Sequence, residues 1–274
     1  MARARFGDWL HGLGLCLVLG FAIFPFYWMV TSSFKDQTEL LASPPVWLFT
    51  PTLANYQEIF ADSHVMTAVL NSLIVATATT ALSIALGTPA AYALARFEFR
   101  GKADLWFWFI SNRMISPIVL ALPVYILSRQ TGLLNTRIVL VLIYLTFNLP
   151  IVVWICTDQF RSIPPDIEQS ARLEGANQFD IFWRIYLPLG IPGVAVSAIF
   201  AFIFSWNELL YALVLITSQG LKTAPVVATN FMSGYELPWG KIMATGTVIV
   251  LPVTVFALLV SRHMVRGLTM GATK

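Results

Sequence analysis

RSIPPDIEQSARLEGANQFDIFWRIYLPL, residues 161–189, is a polar stretch set between two long apolar runs, about 138–160 before it and 188–217 after it. A hydrocarbon core about 30 Å thick is crossed by roughly 20 mostly apolar helical residues. Both runs reach that length. The same test picks out about 11–34, 67–95, 104–127 and 241–262, so six transmembrane spans are predicted, in one domain covering residues 1–274. Helix is the only workable assignment, because a lone strand in lipid leaves its backbone groups unpaired. A membrane β-barrel would need short alternating segments, and none appear. The predicted fold class is an all-α membrane protein.

Composition points the same way. Of 274 residues, 57% are hydrophobic and 11% charged, against about 25% charged in a soluble domain. The net charge of +3 is thinly spread, which argues against a nucleic-acid surface. Cys16 and Cys156 fall inside apolar runs without metal-ligand spacing and read as buried thiols, while His11, His64 and His263 are scattered. No metal site is expected. The run from Leu13 to Val30 follows a basic start but is as long as a span and has no A-x-A-like site after it, so it reads as a retained first helix.

Lysine and arginine set the orientation. With the N-terminus inside, the inner segments carry Arg3, Arg5, Arg96, Arg100, Lys102, Arg161, Arg172, Arg184, Arg262, Arg266 and Lys274, eleven in all. The outer loops carry five, Lys35, Arg129, Arg137, Lys222 and Lys241. Both termini, and the 161–187 loop, are therefore expected on the cytoplasmic side. In the second span Ser72, Ala76, Thr80, Ser83, Gly87 and Ala91 recur at steps of three and four, a small-residue face that permits close helix packing or lines a pore.

Within the 161–187 loop, Pro164-Pro165 suit a helix start, and a short helix is predicted from Asp166 to Leu173. Glu174-Gly175 ends it, the glycine being free to take the left-handed conformation. Asn177 is the predicted N-cap of a second short helix, with Asp180 near its positive end. There Phe179, Phe182, Trp183 and Tyr186 fall at helical spacing and make one aromatic face, before Leu187-Pro188 turns the chain into the fifth span. An amphipathic elbow of this kind either lies on lipid headgroups or fits a groove on a protein partner.

The stretch resembles the EAA loop of binding-protein-dependent ABC importer permeases, whose pattern is E-A-A-x-x-D-G-A, a spacer and I-x-L-P. The matching residues are Gln169-Ser170-Ala171-Arg172-Leu173-Glu174-Gly175-Ala176 and Ile185-Tyr186-Leu187-Pro188. Gln169, Ser170 and Glu174 depart from the pattern, and Glu168, one residue early, offers a carboxylate nearby. Three more stretches are similar to the maltose-type carbohydrate-uptake branch, in its smaller six-span subunit. They are Ala90-Ala91-Tyr92-Ala93-Leu94-Ala95-Arg96-Phe97 with Arg100-Gly101-Lys102, Phe204-Ser205-Trp206-Asn207-Glu208, and Arg266-Gly267-Leu268-Thr269-Met270-Gly271-Ala272-Thr273-Lys274. The resemblance implies a bacterial inner-membrane permease that takes up a sugar or sugar alcohol. Its implied partners are a second permease subunit, a dimer of cytosolic ATPase subunits and an extracytoplasmic solute-binding protein, all within membrane lipid. It also implies that the loop, through Glu168 to Ala171, Glu174 to Ala176, Phe179, Leu187 and Pro188, engages the ATPase.

Ionisable groups inside a membrane are expensive and tend to face cavities or partners. Asn112, Arg113, Trp206, Asn207 and Glu208 are the candidate substrate-path residues. Asn207 and Glu208 either bind sugar hydroxyls, with Trp206 stacking on a pyranose, or pair across a subunit interface. Arg113 either lies near a cavity at a bend before Pro117 or forms a buried ion pair with Glu208. Asn71 and Asn148 read as hydrogen-bonding partners of neighbouring helices. The acidic residues Asp36, Glu39, Glu58 and Asp62 in the 35–66 loop either help dock the binding protein or belong to a solvated connection.

No G-x-x-x-x-G-K-[ST] occurs, since Gly101-Lys102 and Gly240-Lys241 lack the upstream glycine and the following hydroxyl. The chain is therefore expected to bind no cofactor of its own and to be no enzyme, with ATP and Mg²⁺ held on the ATPase subunits. An ion-coupled secondary transporter is the alternative; it would show repeated halves and broken helices meeting at a midplane ion site. A membrane enzyme would need a catalytic constellation such as H-E-x-x-H or G-x-S-x-G, and neither occurs.

Overall fold

A computed structural model describes residues 2–61, 63–231 and 237–271. The chain begins with α1 (Ala2–Ser33), α2 (Gln37–Leu40), α3 (Ala54–Ala61) and α4 (Ser63–Arg96). Next come α5 (Lys102–Asn112), α6 (Pro117–Gln130), α7 (Arg137–Arg161), α8 (Pro165–Leu173) and α9 (Gln178–Ile181). A five-residue π turn (Phe182–Tyr186) leads into α10 (Leu187–Trp206), followed by α11 (Leu210–Leu215), α12 (Ala224–Asn230) and α13 (Trp239–Gly271). No strand occurs among the described residues. Five helices are long and apolar enough to cross a membrane, and a sixth crossing is counted if α5 and α6 form one span. Asp62 and Ala272–Lys274 lie outside the described residues, as do the side chains of Arg3, Arg5, Arg262, His263 and Arg266.

Two predicted spans are corrected. The 104–127 segment is not one helix: α5 and α6 meet at 97°. Pro117, at the start of α6, has no N–H to continue the ladder, and a residue before proline is pushed out of the α region. Ser116 sits accordingly at φ −66°, ψ 128°. The 188–217 span starts earlier and stops earlier, because α9, the π turn and α10 form one continuous helix, Gln178–Trp206, and the chain breaks at Asn207.

Residues cluster into two compact units, Met1–Val65 with Ala228–Leu251, and Met66–Val227 with Pro252–Lys274. In the first, the segment after α1 is folded rather than merely solvated. Lys35 donates to the Val46 carbonyl at 2.7 Å and lies over the Trp28 and Phe49 rings. Asn55 donates to the carbonyls of Ser33 and Lys35, and Lys241 pairs with Glu58 at 2.5 Å. Asp36 and Glu39 form a capping box on α2. Cys16 is exposed on α1, as are all of residues 11–27, so the buried-thiol expectation holds for Cys156 alone.

In the second unit α7 is central. Its buried residues Val139, Leu140, Ile143 and Tyr144 pack with Val75, Tyr211 and Leu215. Further along, Val152, Cys156 and Phe160 pack with Ala91, Tyr92, Ile181 and Tyr186. The small-residue face of α4 is buried throughout, from Ser72 to Ala91. At Gly87 an added Cβ would come within 2.6 Å of Val152 Cγ1, so the face serves helix packing within the chain. Asn71 and Asn148 also behave as expected. Asn71 donates to the carbonyls of Gly220 and Lys222 and accepts from Arg137, and Asn148 donates to Ser205 Oγ at 2.9 Å.

Candidate functional site

The elbow between α7 and α10 is built from local rules that the sequence carries. Helix α8 begins at Pro165, one residue before its predicted start, and ends where Gly175 takes φ +89°. The Gly175 N–H reaches the Arg172 carbonyl and the Ala176 N–H the Ala171 carbonyl, at 3.1 and 3.0 Å. That pair of bonds is the Schellman termination, which satisfies carbonyls the helix end would otherwise leave free. Asn177 then caps α9, its Oδ1 accepting from the N–H groups of Phe179 and Asp180 at 2.9 Å each. Asp180 adds an ion pair to Arg184.

The expected turn at Leu187-Pro188 is absent, because a π turn replaces it. The Leu187 N–H reaches back five residues to the Phe182 carbonyl. Pro188 lacks an N–H and would crowd the carbonyl four residues earlier in a regular helix. A widened turn just before it absorbs both defects, as π insertions inside helices do.

Nor do the four aromatics form one face. Phe182 and Tyr186 point inward and are buried, whereas Phe179 is 72% and Trp183 50% exposed. Tyr92 of α4 draws the inward pair down, its ring lying 5.3 Å from Phe182 and 4.8 Å from Tyr186. The outward pair lies 6.0 Å apart, and on α8 of the same elbow Leu173 is 90% and Ile167 40% exposed. Gln169, Ser170 and Glu174 are exposed, Ala171, Ala176 and Leu187 half-buried, and Pro188 exposed.

Glu168 is the exception on α8: it is only 8% exposed. Its Oε1 accepts from Arg172 Nη2 and Nε at 2.7 and 3.2 Å. Its Oε2 accepts from the Tyr186 hydroxyl at 2.9 Å and lies 3.5 Å from Arg96 Nε. Arg96, at the end of α4, also donates to the Tyr186 hydroxyl and, through Nη2, to the Ile163 carbonyl at 2.7 Å. Gln178 extends the set. With its amide nitrogen donating to the Tyr92 hydroxyl, its oxygen accepts from Arg172 Nη1 at 3.2 Å. The hydrogen bond to Glu168 holds the Arg172 guanidinium proton more tightly than usual. In the sequence Arg96 and Arg172 register as orientation charges and as members of the resembling stretches. Arg172 stands four residues after Glu168 on one helix, but the approach of Arg96 to the same carboxylate has no signal there, since the two are 72 positions apart.

The membrane-level candidates separate. Asn112 Nδ2 donates to the Thr146 carbonyl of α7 at 2.6 Å, tying down the α5–α6 break. Arg113 caps α5 and lies over the Phe204 ring, 5.1 Å from its centroid. Among the described residues it makes no ion pair with Glu208. Glu208 instead accepts from the N–H groups of Tyr211 and Ala212, at 3.1 and 3.4 Å, placing negative charge at the start of α11. Asn207 is exposed and donates to the Ile203 carbonyl at 2.9 Å. Trp206 is 1% exposed, 5.8 Å from the nearly parallel Phe202 ring, and so presents no face to a solute in this conformation. An open cavity of about 720 Å³ takes in Arg113, Trp154, Asp158, Gln159, Phe200 and Phe204. On α7 and its C-cap, positions 151, 154, 155, 158, 159 and 162 form a helical stripe along it, a period visible in the sequence but not singled out there.

Comparison with known proteins places these features. Residues 83–270 match the family described as binding-protein-dependent transport system inner membrane component. The chain is 38% identical to the trehalose transport system permease protein SugB of Mycobacterium tuberculosis, over 94% of each chain. It is 32% identical to the trehalose/maltose transport system permease protein MalG of Thermococcus litoralis, over 96% of this chain and 95% of that one. Among solved structures, a chain of a bacterial ABC transporter involved in import of the acidic polysaccharide alginate shares the fold. Its TM-score is 0.79 at 20% identity, covering 96% of this chain and 98% of that one. With most of its length inside the family match and near full-length relatives above 30% identity, this multi-pass membrane chain belongs to the family of binding-protein-dependent transport system inner membrane components.

Proposed function

We propose that this chain forms one half of the pore of an ATP-driven importer for a sugar or sugar alcohol. The observation that carries the reading is the elbow, where Ile167, Leu173, Phe179 and Trp183 expose an apolar knob beside polar Gln169, Ser170 and Glu174. A water-facing apolar patch on a stiff support fits a groove on a partner protein. That partner is a cytosolic ATPase subunit, which holds ATP and Mg²⁺. Both termini of this chain lie on the same cytoplasmic side of the bacterial inner membrane. Closure of the ATPase dimer moves the elbow, and the elbow moves the spans, opening the pore to a solute-binding protein outside. A second permease subunit completes the path. The substrate class rests on trehalose and maltose in the names of relatives. Arg113 lines the open cavity with Trp154 and Asp158, which supports assigning it to the solute path, and Asn112, Trp206, Asn207 and Glu208 are assigned to shaping that path at the broken ends of α5 and α10.

The test is co-purification with the cognate ATPase subunit. Leu173→Glu combined with Phe179→Glu, both at exposed positions, should abolish capture while leaving the permease pair in the membrane. Unchanged capture would rule out the knob as the docking surface. For the substrate, ATPase activity of the reconstituted complex should rise with the solute-binding protein and one member of a panel of neutral sugars and polyols. A flat response across the panel would remove the carbohydrate class.

A further inference from the structure

Glu168 lies on the very helix that docks, yet its carboxylate is turned inward and fully engaged. A buried carboxylate persists only when paired and hydrogen-bonded, and here its partners come from three elements: Arg172 of α8, Arg96 at the end of α4, and Tyr186 of the π turn that opens into α10. Arg96 also grips the Ile163 carbonyl in the linker before α8. Arg172 reaches Gln178, and Gln178 reaches Tyr92 of α4. By covalent connection alone, α8 hangs between the 162–164 linker and the 174–177 turn. Either could flex under load.

We propose that Glu168 is the pin that locks α8 to the ends of α4 and α10, so that a push on the elbow is delivered to both spans together. Glu168 is a positioning residue and makes no contact with the ATPase; contact falls to the outward residues around it. This rests on the reading that α8 docks on the ATPase, and the experiment separates the two.

The test uses the complete importer, reconstituted in proteoliposomes with its ATPase subunits and solute-binding protein. Glu168→Gln keeps the shape and removes the charge that holds the two arginines. Capture of the ATPase subunit should persist, while solute transported per ATP hydrolysed falls by about 5–150-fold, the range of ordinary coupling between sites. Tyr186→Phe, which removes a single hydroxyl, should give a smaller fall. Combining the two should be no worse than Glu168→Gln alone, because both act through one hub. A purely structural role would lower the amount of complex without changing the ratio, and that result overturns the pin. Loss of ATPase capture in Glu168→Gln, with capture intact in Tyr186→Phe, makes Glu168 a docking contact and also overturns it. If Glu168→Gln fails to assemble, Tyr186→Phe and Arg96→Lys carry the test, and an unchanged ratio in both refutes the proposal. Failure of the unaltered chain to capture its ATPase would remove the docking reading itself, whatever the variants do.

Discussion

Gly190 is one of the places where α10 packs tightly on α7, and adding a single methyl there gives a sharp test of the packing. An ideal Cβ at Gly190 would overlap Phe160 Cε1 and stand 3.0 Å from Cδ1 and 3.4 Å from Cζ. Carbon pairs prefer about 3.5–4.0 Å, so one component must give way. Phe160 is fully buried, with the Tyr92 ring 6.4 Å and the Tyr186 ring 5.9 Å away, both edge-on. It has little freedom to rotate out, so α10 must retreat. Overpacking of this kind costs about 1–3 kcal/mol, while replacing glycine by alanine inside a helix returns up to about 1 kcal/mol. Gly20→Ala on α1, where an added Cβ meets nothing within 4 Å, provides the propensity part alone. The difference between the two substitutions is therefore the steric cost, about 1–3 kcal/mol. Denaturation with sodium dodecyl sulfate in mixed micelles, followed by circular dichroism, measures it. Adding Phe160→Leu to Gly190→Ala should recover part of the loss, since neighbours in contact are not additive. A difference between Gly190→Ala and Gly20→Ala below about 0.5 kcal/mol, the usual scatter of a neutral substitution, would refute the α7–α10 packing described above. Because Tyr186 backs Phe160, the same variant should also weaken coupling between transport and ATP hydrolysis.

At Gly175, with φ +89° and open space around its missing side chain, the cost of a substitution is conformational rather than steric. Gly175→Ala should destabilise the elbow by about 1–2 kcal/mol, seen as faster proteolysis at 174–177 in the purified complex, and Gly175→Asn should recover much of it. Asn71→Ala leaves two carbonyls, those of Gly220 and Lys222, without their buried donor. It should lower stability by about 1–3 kcal/mol in the same detergent titration, and an effect indistinguishable from zero would mean that water replaces the amide.

Much of the elbow was legible because its signals are local. Pro164-Pro165, Gly175 and Asn177 each act on backbone within four residues, and each performs its expected role in the structure. The spans were legible because the bilayer imposes one length on every crossing. Two misreadings have a shared origin: the 104–127 span and the single aromatic face both assumed an uninterrupted α period. Pro117 breaks that period in one case, and Pro188, through the π turn, in the other.

What the sequence determined by itself, then, is an all-helical membrane chain with a capped elbow after its fourth span, since hydropathy and capping operate on neighbouring residues. Only the tertiary structure decided what each polar group does. Glu168 reads as one more carboxylate of the coupling loop until Arg96, 72 positions earlier, is seen beside it, and Glu208 reads as either a sugar ligand or an interface residue, with no sign that α11 begins on its carboxylate. The physical reason is that a charge in an apolar setting takes its role from whichever partner neutralises it, and that partner is fixed by how helices pack, not by distance along the chain.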